Sequence, residues 1–233
     1  MGIRFSKFSN RKDNKTEVIG IVGVGRGVGT THLGLLLANY LQGVWGRKTA
    51  VLEWNNHGDF SRFRKQCTGQ MEVKECFRIQ KVNGAALKSA LKVDYYSQAE
   101  SSQLMRCMET GYQEVVIDFG TIREEIFVEF MRCNTVWAVV SFSEWQIDAF
   151  WEFAEAKESK RNRSWQFFSA FGSEESRKEW NKRRKPEVLQ IPFSADAFTI
   201  TRPLMGWMEK ALEQSSFSGN VSQKNLQKRT GKA

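Results

Sequence analysis

The stretch VIGIVGVGRGVGTTHLGLLLANY, from Val18 to Tyr40, decides the fold because it joins a strand, a glycine-rich loop and a helix. Its first five residues, Val18 to Val22, are apolar and mostly β-branched, which is typical of a buried strand. Glycine then occupies four of the seven positions from Gly23 to Gly29. From Thr30 onward, leucines form a broad apolar face that predicts a helix. Such a loop at a helix N-terminus predicts a phosphate cradle, because its amides point at the anion and the helix end adds partial positive charge.

The loop matches the phosphate-binding pattern GxxxxGK[ST] only in part. With Gly29 and Thr31 aligned, the first glycine of the pattern falls on Val24 and its lysine falls on Thr30. Arg26 is the only cation in the loop. A glycine-rich turn that binds nothing is the alternative, and the order of the motifs downstream favours a phosphate site. The residues predicted to bind the nucleotide are Gly25, Arg26, Gly27, Val28, Gly29, Thr30, Thr31 and His32.

Polar side chains cluster where the next predicted strand ends. Lys48 to Trp54 reads as a second buried strand, and the segment EWNNHGDF follows its end. In an open parallel sheet, ligands bind at the carboxyl ends of the strands. Glu53, Asn55, His57 and Asp59 are therefore predicted to cluster at this ligand-binding edge, and Glu53, Asn55 and His57 are the predicted switch-like residues.

A third strand is predicted to deliver a carboxylate to the same edge. Tyr112 to Gly120 is an apolar run that ends in Asp118. A carboxylate at the end of a buried strand, beside a hydroxyl on the loop, is how P-loop proteins hold Mg²⁺ or its water shell. Asp118 and Thr31 are the predicted metal residues.

The rest of the chain alternates predicted strands and helices, which favours a doubly wound, mostly parallel sheet with helices on both faces. Residues 61–110 are predicted to be an elaboration, with a polar helix or loop at 61–70, strands at 77–82 and 91–96, a helix containing 85–90 and a helix at 101–110. The later predicted helices are 123–132, one starting after Ser143, 175–185 and 201–214, and the later strands are 135–141, 165–170 and 187–191. A single domain over 17–213 is expected, between a basic flexible arm (1–16) and a polar basic tail (214–233).

The net charge of +9 is unevenly distributed. Residues 1–17 carry +3, residues 157–185 carry +6 and residues 214–233 carry +4, so the remainder is mildly acidic. Basic patches suit an anionic membrane surface, nucleic acid or an acidic protein. The expected location is the cytoplasm, because no apolar run reaches about 18 residues, no secretory leader is evident and the four cysteines are scattered.

The order of these motifs resembles the MinD/ParA group of P-loop ATPases, which have a deviant Walker A loop. RGVGTTH (26–32) stands where the group has GGVGKTT, EWNNHGD (53–59) stands where partition proteins have DxDPQGN, and VVIDFG (115–120) stands at the Walker B strand. NTVWAVVSFSEW (134–145) is similar to the group's DEVLVVTTPE strand and turn, and LQIPFS (189–194) is similar to its late IP turn. Within the group, the chain looks closest to TadZ/CpaE-like proteins of Flp/Tad pilus systems, whose loops also often replace the lysine with a small residue.

The resemblance implies a three-layer P-loop NTPase fold that binds ATP or ADP with Mg²⁺. It also implies a nucleotide-dependent homodimer and membrane-associated pilus or secretion partners at the inner face of the membrane. The departures affect the chemistry. Thr30 replaces the lysine that reaches the β- and γ-phosphates, and Gly25 stands at the second lysine, one residue before Arg26. Asn55 replaces a carboxylate near the attacking water.

The function predicted from these features is that of a nucleotide-binding assembly or positioning factor for a pilus or secretion apparatus, with weak or absent ATP hydrolysis. Two alternatives remain open. One is a partition-type ATPase that uses its basic segment on DNA. The other is an active ATPase with Arg26 as the catalytic cation; Arg26 and Glu53 are the catalytic candidates.

Overall fold

The structure, a computed structural model, describes residues 15–68, 76–79, 92–156, 165–184 and 187–215. The described residues form one eight-stranded sheet. Its strands are β1 (Glu17–Gly23), β2 (Thr49–Glu53), β3 (Cys76–Phe77), β4 (Asp94–Tyr96), β5 (Glu114–Thr121), β6 (Thr135–Phe142), β7 (Trp165–Gly172) and β8 (Val188–Gln190).

The described helices follow the strands in alternation. They are α1 (Thr30–Gly43), α2 (Asp59–Thr68), α3 (Ser101–Glu109), α4 (Phe127–Phe130), α5 (Ile147–Glu155), α6 (Glu174–Arg183) and a final helix over residues 202–215. Within the described ranges, no helix is long and apolar enough to cross a membrane.

The strand order β3-β4-β2-β5-β1-β6-β7-β8 places the predicted site at the centre of the sheet. Every pairing is parallel except the one between β3 and β4. In register, Asp118 of β5 lies beside Ile21 of β1 on one side and beside Glu53 of β2 on the other. The carboxyl ends of three neighbouring strands therefore meet where the glycine loop leaves β1.

Two apolar clusters cover the two faces of the sheet, because successive residues of a strand point to opposite sides. In β1, Ile19 and Ile21 belong to the cluster that contains α1 and the final helix. Val18 and Val22 belong to the other cluster, which contains α3, α4, α5 and α6. A strand buried on both faces needs a continuous apolar run rather than an alternating one. The predicted fold class, a doubly wound and mostly parallel sheet with helices on both faces, is confirmed.

Several predicted boundaries are wrong. The helix expected over 123–132 is a 3₁₀ turn (Glu124–Ile126) followed by the single turn α4. The helix expected directly after Ser143 begins at Ile147, with Gln146 as its N-cap. The strand expected at 77–82 is the two-residue β3. Residues 80–82 and the helix expected at 85–90 lie outside the described residues. So do nearly all of the basic arm and all but the first two residues of the tail.

Candidate functional site

The glycine loop between β1 and α1 has the backbone shape that its sequence predicts. Gly27 has φ 70° and Gly29, which precedes the first turn of α1, has φ 96°. L-amino acids avoid this left-handed region, so glycine, which has no Cβ, is favoured at both positions. The first turn of α1 contains no acidic residue. The exposed amide end of α1 therefore presents its partial positive charge without a neighbouring carboxylate of its own helix.

A cavity of about 240 Å³ opens beside this loop. It is the size of a small polar ligand group rather than of a whole nucleotide, and it continues into solvent. A Cβ added at Gly27 would meet no atom within 4 Å, so space is open on that side of the loop. The cavity is lined by Gly25, Gly27, Gly29, Thr30, Thr31, His32, His57, Asp59, Gly120 and Thr121.

Thr31 and Asp118 meet beside the loop, as predicted for the metal residues. The Thr31 hydroxyl donates to the Asp118 carboxylate at 2.7 Å, and the Gly120 amide donates to the other carboxylate oxygen at 3.0 Å. Asp118 is almost completely buried. Burial raises the pKa of Asp118, and these two hydrogen bonds offset only part of the rise. A cation bound between the hydroxyl and the carboxylate would remove this penalty.

Thr30 occupies the position of the missing lysine but is directed back to the strand. It is buried, and its Oγ1 lies 2.5 Å from the point where a Cβ on Gly23 would stand. Gly23 thus provides the room that Thr30 occupies. A short hydroxyl at this position does not place a cation over the cavity.

Asn55 holds the loop after β2 against the end of β5. Its Nδ2 donates to the Asp118 carbonyl oxygen at 3.0 Å, and its Oδ1 accepts from the His57 amide at 3.0 Å. Gly120, at φ 66°, allows this contact, since a Cβ there would lie 3.0 Å from both Asn55 and His57. The amide of Asn55 is therefore used as a donor, which a carboxylate could not be.

Glu53 is fully buried and lies away from the cavity lining. Its carboxylate accepts from the Phe60 amide at 3.0 Å, at the start of α2, and from the Gln98 amide at 3.4 Å. Burial raises the pKa of Glu53, while these backbone amides counteract the rise. This arrangement gives Glu53 a structural role at the N-terminus of α2 and does not support its selection as a catalytic candidate.

The two remaining loop residues, Val28 and Arg26, differ in their exposure to solvent. Val28 is buried in the core, whereas Arg26 is exposed. The carbonyl of Arg26 accepts a hydrogen bond of 2.7 Å from Nε2 of Gln146, the residue that caps α5. Sequence reasoning missed Gln146, because 120 positions separate it from Arg26 and no motif marks it.

His32 lines the cavity from the first turn of α1. Its Nε2 is buried and has no hydrogen-bond partner among the described residues. Burial lowers the pKa of His32, although the charge of Asp196 acts in the opposite direction. Asp59, which the sequence places in the same polar cluster as His57, also lines the cavity, as do Gly120 and Thr121, which were not predicted as site residues.

Comparison with solved structures shows that this fold is shared with ParA-type ATPases. A plasmid partition protein of Borrelia burgdorferi bound to AMPPNP is 14% identical, with 85% of this chain and 97% of that chain covered and a TM-score of 0.60. A ParA family ATPase of Chlorobium tepidum is 13% identical, with 90% and 94% covered and a TM-score of 0.55. Another plasmid partition protein structure from B. burgdorferi is 13% identical, with 91% and 99% covered and a TM-score of 0.54.

At these identities, the likeness establishes the fold and leaves the activity of this chain to be argued from its own residues. No protein-family model matches the sequence, and no curated protein does. The particular similarity to TadZ/CpaE-like proteins stays a prediction.

Proposed function

We propose that this chain binds ATP or ADP with Mg²⁺ at the glycine loop and uses the bound nucleotide as a switch, with very slow or absent hydrolysis. The observation that carries the proposal is the contact of 2.7 Å between the Thr31 hydroxyl and the buried Asp118 carboxylate, beside a loop of left-handed glycines. The likeness to an AMPPNP-bound plasmid partition protein supports the same ligand class.

The residues present fit a magnesium-bound nucleotide. The phosphates would lie against the amides of the loop and of the first turn of α1, where Gly27 leaves open space. Thr31 and Asp118 would hold Mg²⁺ or its water shell, and the ion would neutralise phosphate charge.

Slow hydrolysis follows from two positions. Thr30 places no cation over the phosphates, and the side chain of Asn55 is committed as a donor to a backbone carbonyl. Phosphoryl transfer depends on charges placed around the transferring group, and the loss of one such charge costs roughly 3 kcal/mol of the barrier. Arg26 is exposed, so its guanidinium is not fixed over the cavity.

We further propose that the nucleotide-bound form, a single domain over 17–213 that pairs as a homodimer, serves a pilus or secretion apparatus at the inner face of the membrane. This part rests on the resemblance of the loop and strand motifs to TadZ/CpaE-like proteins. In such switches, the γ-phosphate orders nearby loops that partners recognise.

Two alternatives make different predictions. A partition-type protein that uses residues 157–185 on DNA would lose binding steeply as salt rises. An active ATPase would release phosphate rapidly and would lose this activity in Arg26→Ala. We expect at most very slow phosphate release, without stimulation by DNA.

Calorimetric titration of the full chain with Mg-ATP tests the nucleotide site. We expect one site in the micromolar to sub-millimolar range, roughly −5 to −8 kcal/mol. Gly27→Val should abolish binding, because its side chain would occupy the space beside the loop. Gly46→Val is the matched control, since Gly46 has a similar φ of 68° and equally open surroundings but lies after α1.

Titrations of the wild type and of the two valine variants together decide whether the nucleotide binds at the glycine loop. If the wild type shows neither heat nor thermal stabilisation with millimolar Mg-ATP, the chain does not bind nucleotide at this loop. Equal loss of binding in the two valine variants would also contradict the proposed position, because backbone strain alone would then explain the loss.

A further inference from the structure

A second concave surface lies between α5 and α6, on the face of the sheet that carries the second apolar cluster. This groove has a volume of about 250 Å³. Its walls come from the end of β6 and from facing sides of the two helices. Its lining includes Trp151, Glu179, Trp180, Arg183 and Arg184.

The floor of the groove is aromatic. Trp180 of α6 is 5% exposed and packs on Phe150 of α5, with ring centroids 4.5 Å apart. Trp151, one position further along α5, remains 42% exposed and lies 6.4 Å from Trp180. An indole that stays this exposed beside a buried one offers a ready contact for an apolar side chain, and Trp is among the residues that dominate binding energy at interfaces.

The rim of the groove is basic and is held in place by neighbouring groups. The Arg184 guanidinium lies 4.9 Å from the Trp151 ring centre and 5.4 Å from that of Trp180, and it pairs with Glu155 at 3.1 Å. Arg183 pairs with Glu179 at 3.0 Å. Arginine fixed in this way can still receive a carboxylate, because its planar group presents five donors.

The charge of this segment favours an acidic ligand. Residues 174–184 contain five basic side chains and three glutamates, a net charge of +2. Along α6 the exposed side chains are of both signs: Lys178 pairs with Glu174 at 2.8 Å and Arg183 pairs with Glu179, whereas Lys182 and the adjacent Arg184 add positive charge.

We propose that this groove docks a segment of a partner protein that is acidic and carries a bulky apolar anchor. The anchor packs on Trp151 and Trp180, and flanking carboxylates meet Arg183 and Arg184. A segment laid between two helices in this way is a common mode of peptide recognition. A flat anionic membrane fits less well, because the groove is concave and its aromatic floor lies below the arginine rim. The groove does not share a lining residue with the loop cavity, so this proposal stands whether or not a nucleotide binds.

The test is selection of random peptides displayed on phage against the full chain, followed by fluorescence anisotropy with the strongest synthetic peptide. The peptides selected should contain Asp or Glu on both sides of an aromatic residue or leucine. Their affinity should fall at least tenfold in Trp151→Ala and in Arg183→Glu.

Arg62→Glu is the matched control for Arg183→Glu and should bind the peptide as the wild type does. The side chains of Arg62 and Arg183 are 73% and 75% exposed, and each pairs with a carboxylate one turn earlier in its helix. Arg62 lies on α2, which packs through Phe60 on the opposite face of the sheet. Thermal melts establish that each variant is folded, and Arg183→Glu alone decides the test if Trp151→Ala does not fold.

Three results would overturn the proposal. One is the absence of an acidic and apolar consensus among the selected peptides. Another is equal peptide binding by the wild type and Arg183→Glu. The third is sedimentation of the wild type, but not of Arg183→Glu, with phosphatidylserine vesicles while no peptide is selected, which would make the groove segment a membrane contact.

Discussion

Asp118→Asn should make the protein more stable without ligand and remove its response to Mg-nucleotide. The variant keeps the shape of the side chain. Its Oδ1 can accept from the Gly120 amide, and its Nδ2 can donate to the Thr31 hydroxyl, so both contacts of the wild type have a counterpart. What disappears is a buried negative charge.

The sign of the effect follows from the direction of the pKa shift. Burial raises the pKa of Asp118 in the folded protein above its value in the unfolded chain. Between these two values the folded state binds more protons, so stability falls as the pH rises through that window and stays lower above it. At neutral pH the ionised carboxylate therefore destabilises the ligand-free protein. The advantage of Asp118→Asn should shrink as the pH is lowered and wild-type Asp118 takes up its proton.

The expected size is about 1–3 kcal/mol, the desolvation penalty of a buried polar group that its hydrogen bonds do not fully offset. For a chain of this length that corresponds to roughly 2–12 °C in the melting temperature. With Mg-ATP at 100 times its dissociation constant, the wild type should gain about 2.7 kcal/mol and the variant should gain little. The difference between the two melting temperatures should therefore shrink or change sign when nucleotide is added.

Differential scanning fluorimetry at several pH values, with and without Mg-ATP, measures both effects. Asp94→Asn is the matched control, because Asp94 is also a buried strand aspartate but has a cationic partner, Arg78, and accepts from the Tyr112 hydroxyl at 2.8 Å. It should lower stability by about 1–3 kcal/mol, since it breaks a partly buried ion pair. The reasoning is refuted if ligand-free Asp118→Asn melts below the wild type at neutral pH.

Two further predictions concern backbone contacts at the strand ends. Asn55→Asp should destabilise the protein by about 2–4 kcal/mol without starting hydrolysis, because a carboxylate cannot donate to the Asp118 carbonyl oxygen; rapid phosphate release by this variant would contradict the assignment. Gly172→Ala should cost at least about 3 kcal/mol in urea unfolding, because Gly172 has φ 101° and a Cβ would overlap backbone atoms of Phe142. Gly206→Ala, in open space on the final helix, should instead add about 0.5–1 kcal/mol, and equal effects of the two substitutions would show that the overlap is not real.

The centre of the fold was predictable because its strands are buried on both faces. β1, β5 and β6 are largely apolar, and their observed ends lie within two residues of the predicted ones: β1 gains one residue at each end, β6 gains one at its end, and β5 begins two residues later and ends one later than predicted. The region around α4 was predicted less well. Ile126 and Phe130 have helical spacing and are both buried, but only a 3₁₀ turn and one helical turn form there. Periodicity reports which side chains face the core and does not fix how many residues complete a helix.

The candidate site was predictable where it is local in sequence and not where it depends on tertiary contacts. The glycine loop and Thr31 follow from one stretch, and Asp118 follows from the end of one strand. The role of Glu53 at the start of α2 depends on where the chain turns after β2, which no motif specifies. The bond from Gln146 to the loop joins two turns that only the parallel order of β1 and β6 brings together.

The strand order also bears on how the protein limits edge-to-edge aggregation of its sheet. An unpaired strand edge is a template for another chain to add to the sheet, and long, flat edges are the most hazardous. Here the two outermost strands of the described sheet are short, β3 with two residues and β8 with three. Pro192 follows β8 by two residues and has no amide hydrogen to offer a neighbour. The long apolar strands that make up the core are thus kept away from both margins, where intermolecular sheet growth would begin.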